Sequence, residues 1–136
     1  MNYESIFIER INNIYPNAYN WVEKIDELPL AIGKKILSEI LETGCKAQNE
    51  ANIMLGRRTA KRLPRYWLFD HLEEVALSSI DIDDEWEYRR LIELIQEAEP
   101  KLMKKFIELG LSSKGAEIRE AAEDYMEKSK RTKLRP

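Results

Sequence analysis

Residues 64–99 read PRYWLFDHLEEVALSSIDIDDEWEYRRLIELIQEAE, and this stretch decides the fold. It holds two apolar stripes in succession: Leu68, Leu72, Val75 and Ala76, then Tyr88, Leu91, Ile92 and Ile95. Apolar residues three and four apart mark the buried face of a helix, and no sustained period of two competes with them. Pro64 opens the stretch and Pro100 follows it. Proline lacks an N–H and presets φ, so it suits a first helical turn and ends the preceding helix. Between the stripes, Asp83 and Asp84 stand where an N-cap belongs, and Asp84 with Glu87 has capping-box spacing. The unit is a proline-led helix, a short turn and a second amphipathic helix. Connections this short force neighbouring helices to run antiparallel.

The same plan extends in both directions. Upstream, Gly33, Ile36, Leu37, Ile40 and Leu41 form one stripe after Pro29, and Ala47, Ala51, Met54 and Leu55 form the next. A shift of 35 residues sets Leu37, Ile40 and Leu41 on Leu72, Val75 and Ala76. Downstream, Leu102, Met103, Phe106 and Ile107 are followed by Ile118, Ala121, Ala122 and Tyr125. A shift of 31 sets Leu72, Val75 and Ala76 on Met103, Phe106 and Ile107. Near the N-terminus, Phe7, Ile11 and Ile14 precede Ala18, Trp21, Val22, Ile25 and Leu28, with Pro16 between them. Gly44 and Gly110 sit where a left-handed residue closes a helix, and Ser113 where a cap opens one. The expected layout is one helical-repeat domain over residues 1–128. A hairpin at 4–28 precedes repeat hairpins at 29–63, 64–99 and 100–128, and a basic tail, 129–136, frays beyond the last helix.

Asp83 stands six residues before Arg89, and Ser113 six before Arg119. This turn-and-basic pattern in paired helices resembles HEAT-type repeats; Lys46 and Asn52 depart from it in the first repeat. The resemblance implies an all-α fold of stacked antiparallel hairpins in a right-handed α-solenoid, with the second helices lining a concave face. It implies an interaction module, because such stacks present extended surfaces and one fold hosts many functions.

Composition narrows the class. Of 136 residues, 43% are hydrophobic and 35% charged, which suits a solvated helical domain rather than a disordered chain. No apolar run is long enough to span a bilayer, and Glu4 and Glu9 interrupt the N-terminal apolar stretch that a signal peptide would need. Cys45 is the single cysteine, which excludes an internal disulfide and a multi-cysteine zinc site. The cytoplasm is the expected location.

Candidate chemistry is sparse. Asp81, Asp83 and Glu85 have the alternate spacing of a calcium loop, but Trp86 replaces the required glycine and Ile92 the closing glutamate. Helix capping accounts for these acids better. His71 has no second histidine to share a metal with, and Cys45 follows Gly44 in an expected turn, where Lys46 would lower its pKa slightly. No phosphate loop, nucleophile elbow or kinase signature occurs. The expectation is a protein without catalytic residues, metal or cofactor.

The charge is segregated. Residues 56–65 hold five basic and no acidic side chains, as do 128–136, whereas 66–127 hold seven basic against seventeen acidic. Arg57, Arg58, Lys61 and Arg62 lie on a helix whose expected buried side carries Ala51, Met54 and Leu55, so the arginine side should face solvent or a partner. With Arg89 or Arg90, and Arg119, they would form a basic row along the concave face. Trp21 is expected in the core and Trp67 partly buried. Trp86 either packs over its turn or anchors a partner. The expected binding residues are Arg57, Arg58, Arg62, Trp86, Arg89 and Arg90, with a protein as first partner and, as the alternative, nucleic acid bound by the same arginines and the basic tail. Internal pairing of these arginines with the acidic helices is the competing reading.

Overall fold

The computed structural model describes residues 2–134, with side chains through Arg131. Each of the eight predicted apolar stripes falls on a helical segment except at Leu28 and Ala47, which lie just past helix ends, and the described residues contain no strand. Helix α1 spans Tyr3–Ile14 and is capped by Asn2, whose side chain accepts the Ser5 N–H at 2.8 Å. Pro16 and Asn17 break it; Asn17 takes a left-handed φ of 61°, which asparagine tolerates better than most residues. A 3-10 helix, Ala18–Glu27, follows and is kinked at Lys24. Its core residues are Ala18, Val22 and Ile25. Trp21 corrects the expectation of a core residue: it is 50% exposed, with the Lys24 ammonium 5.1 Å from its ring. A stripe drawn at 3.6 residues per turn does not carry over to a tighter, kinked winding.

Helix α2, Leu30–Lys46, is the centre of the assembly and packs against α1 and against α3 (Glu50–Arg62), α4 (Arg65–Ser79) and α5 (Glu85–Ala98). Gly44 lies inside α2, fully in helical conformation, rather than closing it in a left-handed one. Its role is close approach. A Cβ on Gly56 of α3 would overlap the Gly44 backbone, so this crossing accepts only glycine at position 56. That contact rotates α3 away from its expected orientation. Ile53, Leu55, Gly56, Thr59 and Ala60 face inward, whereas Ala51 and Met54 are exposed. Small residues that let backbones touch outrank larger apolar ones in setting the face. Thr59 is buried without loss because its hydroxyl donates to the Leu55 carbonyl at 2.8 Å.

Pro64 precedes α4, which buries Trp67, Leu68, Leu72, Val75 and Ala76. Trp67 is thus buried more completely than its sequence position suggested. Helix α4 rests on α2, and contacts advance together along both helices: Lys34 with Glu74 at 2.8 Å, then Ser38 with Ser79 at 2.7 Å. The two therefore run parallel. The backbones of α4 and α5 do not approach as those of α2 and α3 do; no glycine pair lies between them.

Asp84 caps α5 as expected, accepting the Glu87 N–H at 3.0 Å, while the Glu87 carboxylate reaches back to the Asp81 N–H at 3.1 Å. After a short 3-10 turn, Pro100–Leu102, come α6 (Met103–Leu111) and α7 (Ala116–Leu134). Gly110 is again inside its helix; Tyr88 lies across it and donates its hydroxyl to the Phe106 carbonyl at 2.9 Å. Ser113 accepts the Gly115 N–H at 3.1 Å just ahead of α7. The basic segment continues α7 to Leu134, whereas the sequence suggested a tail from residue 129; residues 135 and 136 lie outside the described range.

Helices α3, α5 and α7 touch in succession, so their outward sides form one surface. The candidate residues lie on or beside it.

Candidate partner-binding face

Glu93, on α5, is the centre of this surface. Its Oε2 accepts hydrogen bonds from Arg57 of α3 and, at 3.0 Å, from Arg90 one turn earlier on its own helix. Its Oε1 accepts the Tyr125 hydroxyl of α7 at 3.0 Å. One carboxylate thereby joins three helices. Burial alone would raise its pKa, but the charge of Arg57, hydrogen bonds from Tyr125 and Arg57, and the charge of Arg90 together hold it below its ordinary 4.5. Tyr125 shifts the opposite way, to about 12, through burial and the adjacent Glu93 charge.

The arginines of the cluster are less fully satisfied. Each guanidinium carries several N–H donors, yet one from each reaches Glu93. The Nε–H groups of Arg57 and Arg90 are buried with no acceptor among the described residues. The Arg57 side chain is only 13% exposed, because α3 is turned so that this residue points toward α5.

Arg90 also stacks over Trp86, its Cζ 4.0 Å from the ring centroid. Trp86 donates its indole N–H to the Ala47 carbonyl at 3.4 Å and remains 43% exposed. It is therefore held in place without being covered, and Met54 beside it is 41% exposed. The indole borders two recesses. One, of about 210 Å³, lies among Gln48, Glu50, Met54, Arg57 and Arg90; the other, of about 460 Å³, among Lys46, Gln48, Asp84 and Glu87.

The remaining predicted residues separate from this group. Arg62 sits at the C-terminal end of α3. Its Nε and Nη2 donate to both Glu23 oxygens at 2.9 and 3.0 Å, and Nη2 also donates to the Tyr19 carbonyl at 2.9 Å. Arg89 bonds Glu85 at 3.2 Å and lies 3.6 Å from Asp124 of α7. Arg58 is exposed, with no pairing partner among the described residues. A continuous basic row is thus replaced by three internally paired groups, with Arg58 and Lys61 exposed and unpaired among the described residues. The structure brings together Arg57, Arg90 and Trp86. Sequence reasoning missed Glu93, Met54 and Gln48; the one local signal was Glu93 three residues after Arg90, the spacing of a helical ion pair.

Cys45 corrects a further expectation. It lies within α2, fully buried, and desolvation pushes its thiol up to about 12 rather than down. His71 packs against Trp67 in a tilted arrangement, ring centroids 5.0 Å apart. Among the described residues no group of three His, Cys, Asp or Glu side chains is arranged to hold a metal ion, and no helix is long and apolar enough to cross a membrane. No protein-family model, curated protein or solved structure matches this chain.

Proposed function

We propose that this chain is a non-enzymatic, cytoplasmic protein-binding module, with hairpins stacked in a HEAT-like right-handed array and a partner seated on the α3–α5 face. The observation that carries this reading is Trp86: a half-exposed indole fixed by Ala47 and Arg90, beside an exposed Met54 and between two recesses. Tryptophan, arginine and methionine are the residue types enriched at the energetic centres of protein interfaces. An aromatic already immobilised in the free protein forfeits little entropy on binding.

The repeat reading draws support from the parallel course of α2 and α4. A second support is the contact of successive turns, where the Ser113 hydroxyl reaches Asp83 at 3.5 Å. A non-catalytic role draws support from the buried thiol of Cys45 and from His71 being packed on Trp67. The nucleic-acid alternative is weakened by the pairing of Arg62 and Arg89 with carboxylates away from the recesses. Glu50, Asp84 and Glu87 around the two recesses would also repel a phosphate backbone.

Affinity capture with chemical cross-linking, run in parallel on the wild type and Trp86→Ala, tests the reading. Cross-links from a protein partner to α3 and α5 that vanish in the variant are expected. Recovery of the same partners by both proteins would place the interface elsewhere. Binding to mixed-sequence oligonucleotides that weakens steeply with salt would favour the alternative.

A further inference from the structure

We propose that the 210 Å³ recess beside Trp86 receives an aspartate or glutamate side chain of a protein partner, held by Arg57 and Arg90, with an adjoining apolar residue on Trp86 and Met54. This rests on the interaction-module reading and adds the chemistry of the ligand.

The donors and acceptors around the recess are unequal. Arg57 and Arg90 both line it, and both give a single hydrogen bond to one oxygen of Glu93. The other Glu93 oxygen is taken by Tyr125, which leaves the two guanidiniums with more donors than the cluster supplies with acceptors. The buried Nε–H groups show the imbalance but lie out of a ligand's reach, so the donors open to an incoming group are the remaining Nη–H groups. An incoming carboxylate supplies two acceptor oxygens in the planar geometry that guanidinium matches best. Glu50 also lines the recess, at the first turn of α3. With Glu93 its charge balances the two arginines, so the site is unsuited to a polyanion such as a nucleic-acid backbone, and a single carboxylate is held by directed bonds to spare guanidinium donors rather than by net charge. Trp86 and Met54 supply the apolar wall, and Gln48 an amide able to bond a peptide backbone. The whole set suits a short extended segment carrying an acid next to a large apolar residue.

Selection of a phage-displayed library of random heptapeptides on the wild-type protein, Trp86→Ala, Arg90→Met and the Arg57→Met/Arg90→Met pair tests this. Circular dichroism melts of each variant report whether it folds. Arg90→Met alone keeps the test alive if the pair does not, because the Arg57–Glu93 bond persists in it. Enriched peptides should carry Asp or Glu beside Leu, Ile, Met or Phe. Their affinity should fall by about tenfold or more in Arg90→Met and when the acid is replaced by its amide. Enrichment that needs Trp86 but yields peptides without an acid, or indifferent to the arginines, would overturn the carboxylate assignment and leave the interaction module standing. Absence of any Trp86-dependent enrichment would overturn both. Displacement of the selected peptides by an oligothymidylate at concentrations below their own would reassign the recess to phosphate.

Discussion

Arg62 and Arg90 use the same ingredients toward the two ends of α3, a guanidinium over an aromatic ring and a glutamate to hold it. The Arg62 Cζ lies 4.8 Å from the Tyr19 ring centroid, and the Arg90 Cζ lies 4.0 Å from that of Trp86. At Arg62 the assembly is closed. Both Glu23 oxygens and the Tyr19 carbonyl accept from it, and the arginine fastens α3 to the N-terminal 3-10 helix. At Arg90 it is open. Two arginines share one oxygen of Glu93, two buried N–H groups lack acceptors, and the ring beneath is exposed. The comparison separates a clamp, whose one guanidinium makes three bonds, from a site whose two guanidiniums make one each and so keep capacity for a ligand.

Removing the carboxylate at the open end should have the largest effect. Glu93→Ala leaves Arg57 and Arg90 without their shared acceptor and unties Tyr125, so α3, α5 and α7 lose their common junction. Stripping one partner from a fully buried pair costs about 3–5 kcal/mol, and partial exposure here reduces that to about 2–3 kcal/mol. Urea unfolding measures it. A loss below about 0.5 kcal/mol would mean that Glu93 is not a junction.

At the closed end the expected loss is smaller. Arg62→Met keeps the aliphatic stem over Tyr19 but removes the paired bonds to Glu23, which is itself more than half exposed. A cost of about 1 kcal/mol follows from screening of such pairs together with the lost bond to the Tyr19 carbonyl. A loss equal to that of Glu93→Ala would abolish the distinction between the two ends.

Acid should separate them further. Glu93 and Glu23 both have pKa values lowered from 4.5, Glu23 chiefly through its hydrogen bond from Arg62. A carboxylate depressed in the folded state contributes stability that is complete above its unfolded pKa and disappears as pH falls through the folded value. Stability should therefore decline below about pH 4.5, and Glu93→Gln should flatten that decline more than Glu23→Gln, because solvent screens Glu23. Equal flattening by the two substitutions would count against Glu93 as the stronger junction.

The helices were legible in the sequence because their causes are local: apolar residues three and four apart, prolines at breaks, and Asp84 one turn ahead of α5. What depends on distant residues was not legible. The face of α3 is dictated by Gly56 meeting Gly44, and neither residue contributes to an apolar stripe that a periodicity search would weigh. Cys45 was read as a turn residue because Gly44 looked like a helix stop, whereas the helix runs on to Lys46. Of the candidate site, Arg57, Trp86 and Arg90 were found as residue types. The carboxylate that the two arginines share was not, since Glu93 meets Arg57 and Tyr125 from 36 and 32 residues away.

Arg58 gives the smallest expected change in stability and the sharpest test of the open end. It is adjacent to Arg57 in sequence but exposed, with no pairing partner among the described residues, so it belongs to neither junction. Arg58→Glu should therefore shift unfolding by no more than about 0.5 kcal/mol, the usual range for exposed substitutions. It nonetheless follows Arg57 of the recess wall directly in sequence, and exposed charges act over roughly 8–10 Å at moderate salt. A partner carrying a carboxylate should bind Arg58→Glu more weakly, chiefly through a slower association rate that recovers as salt is raised. Surface plasmon resonance at low and high salt, with a peptide selected on the wild type, separates the two effects. A stability loss like that of Glu93→Ala would show Arg58 to be part of the junction after all. Association unchanged at low salt would show that the partner's charge does not feel this side of α3.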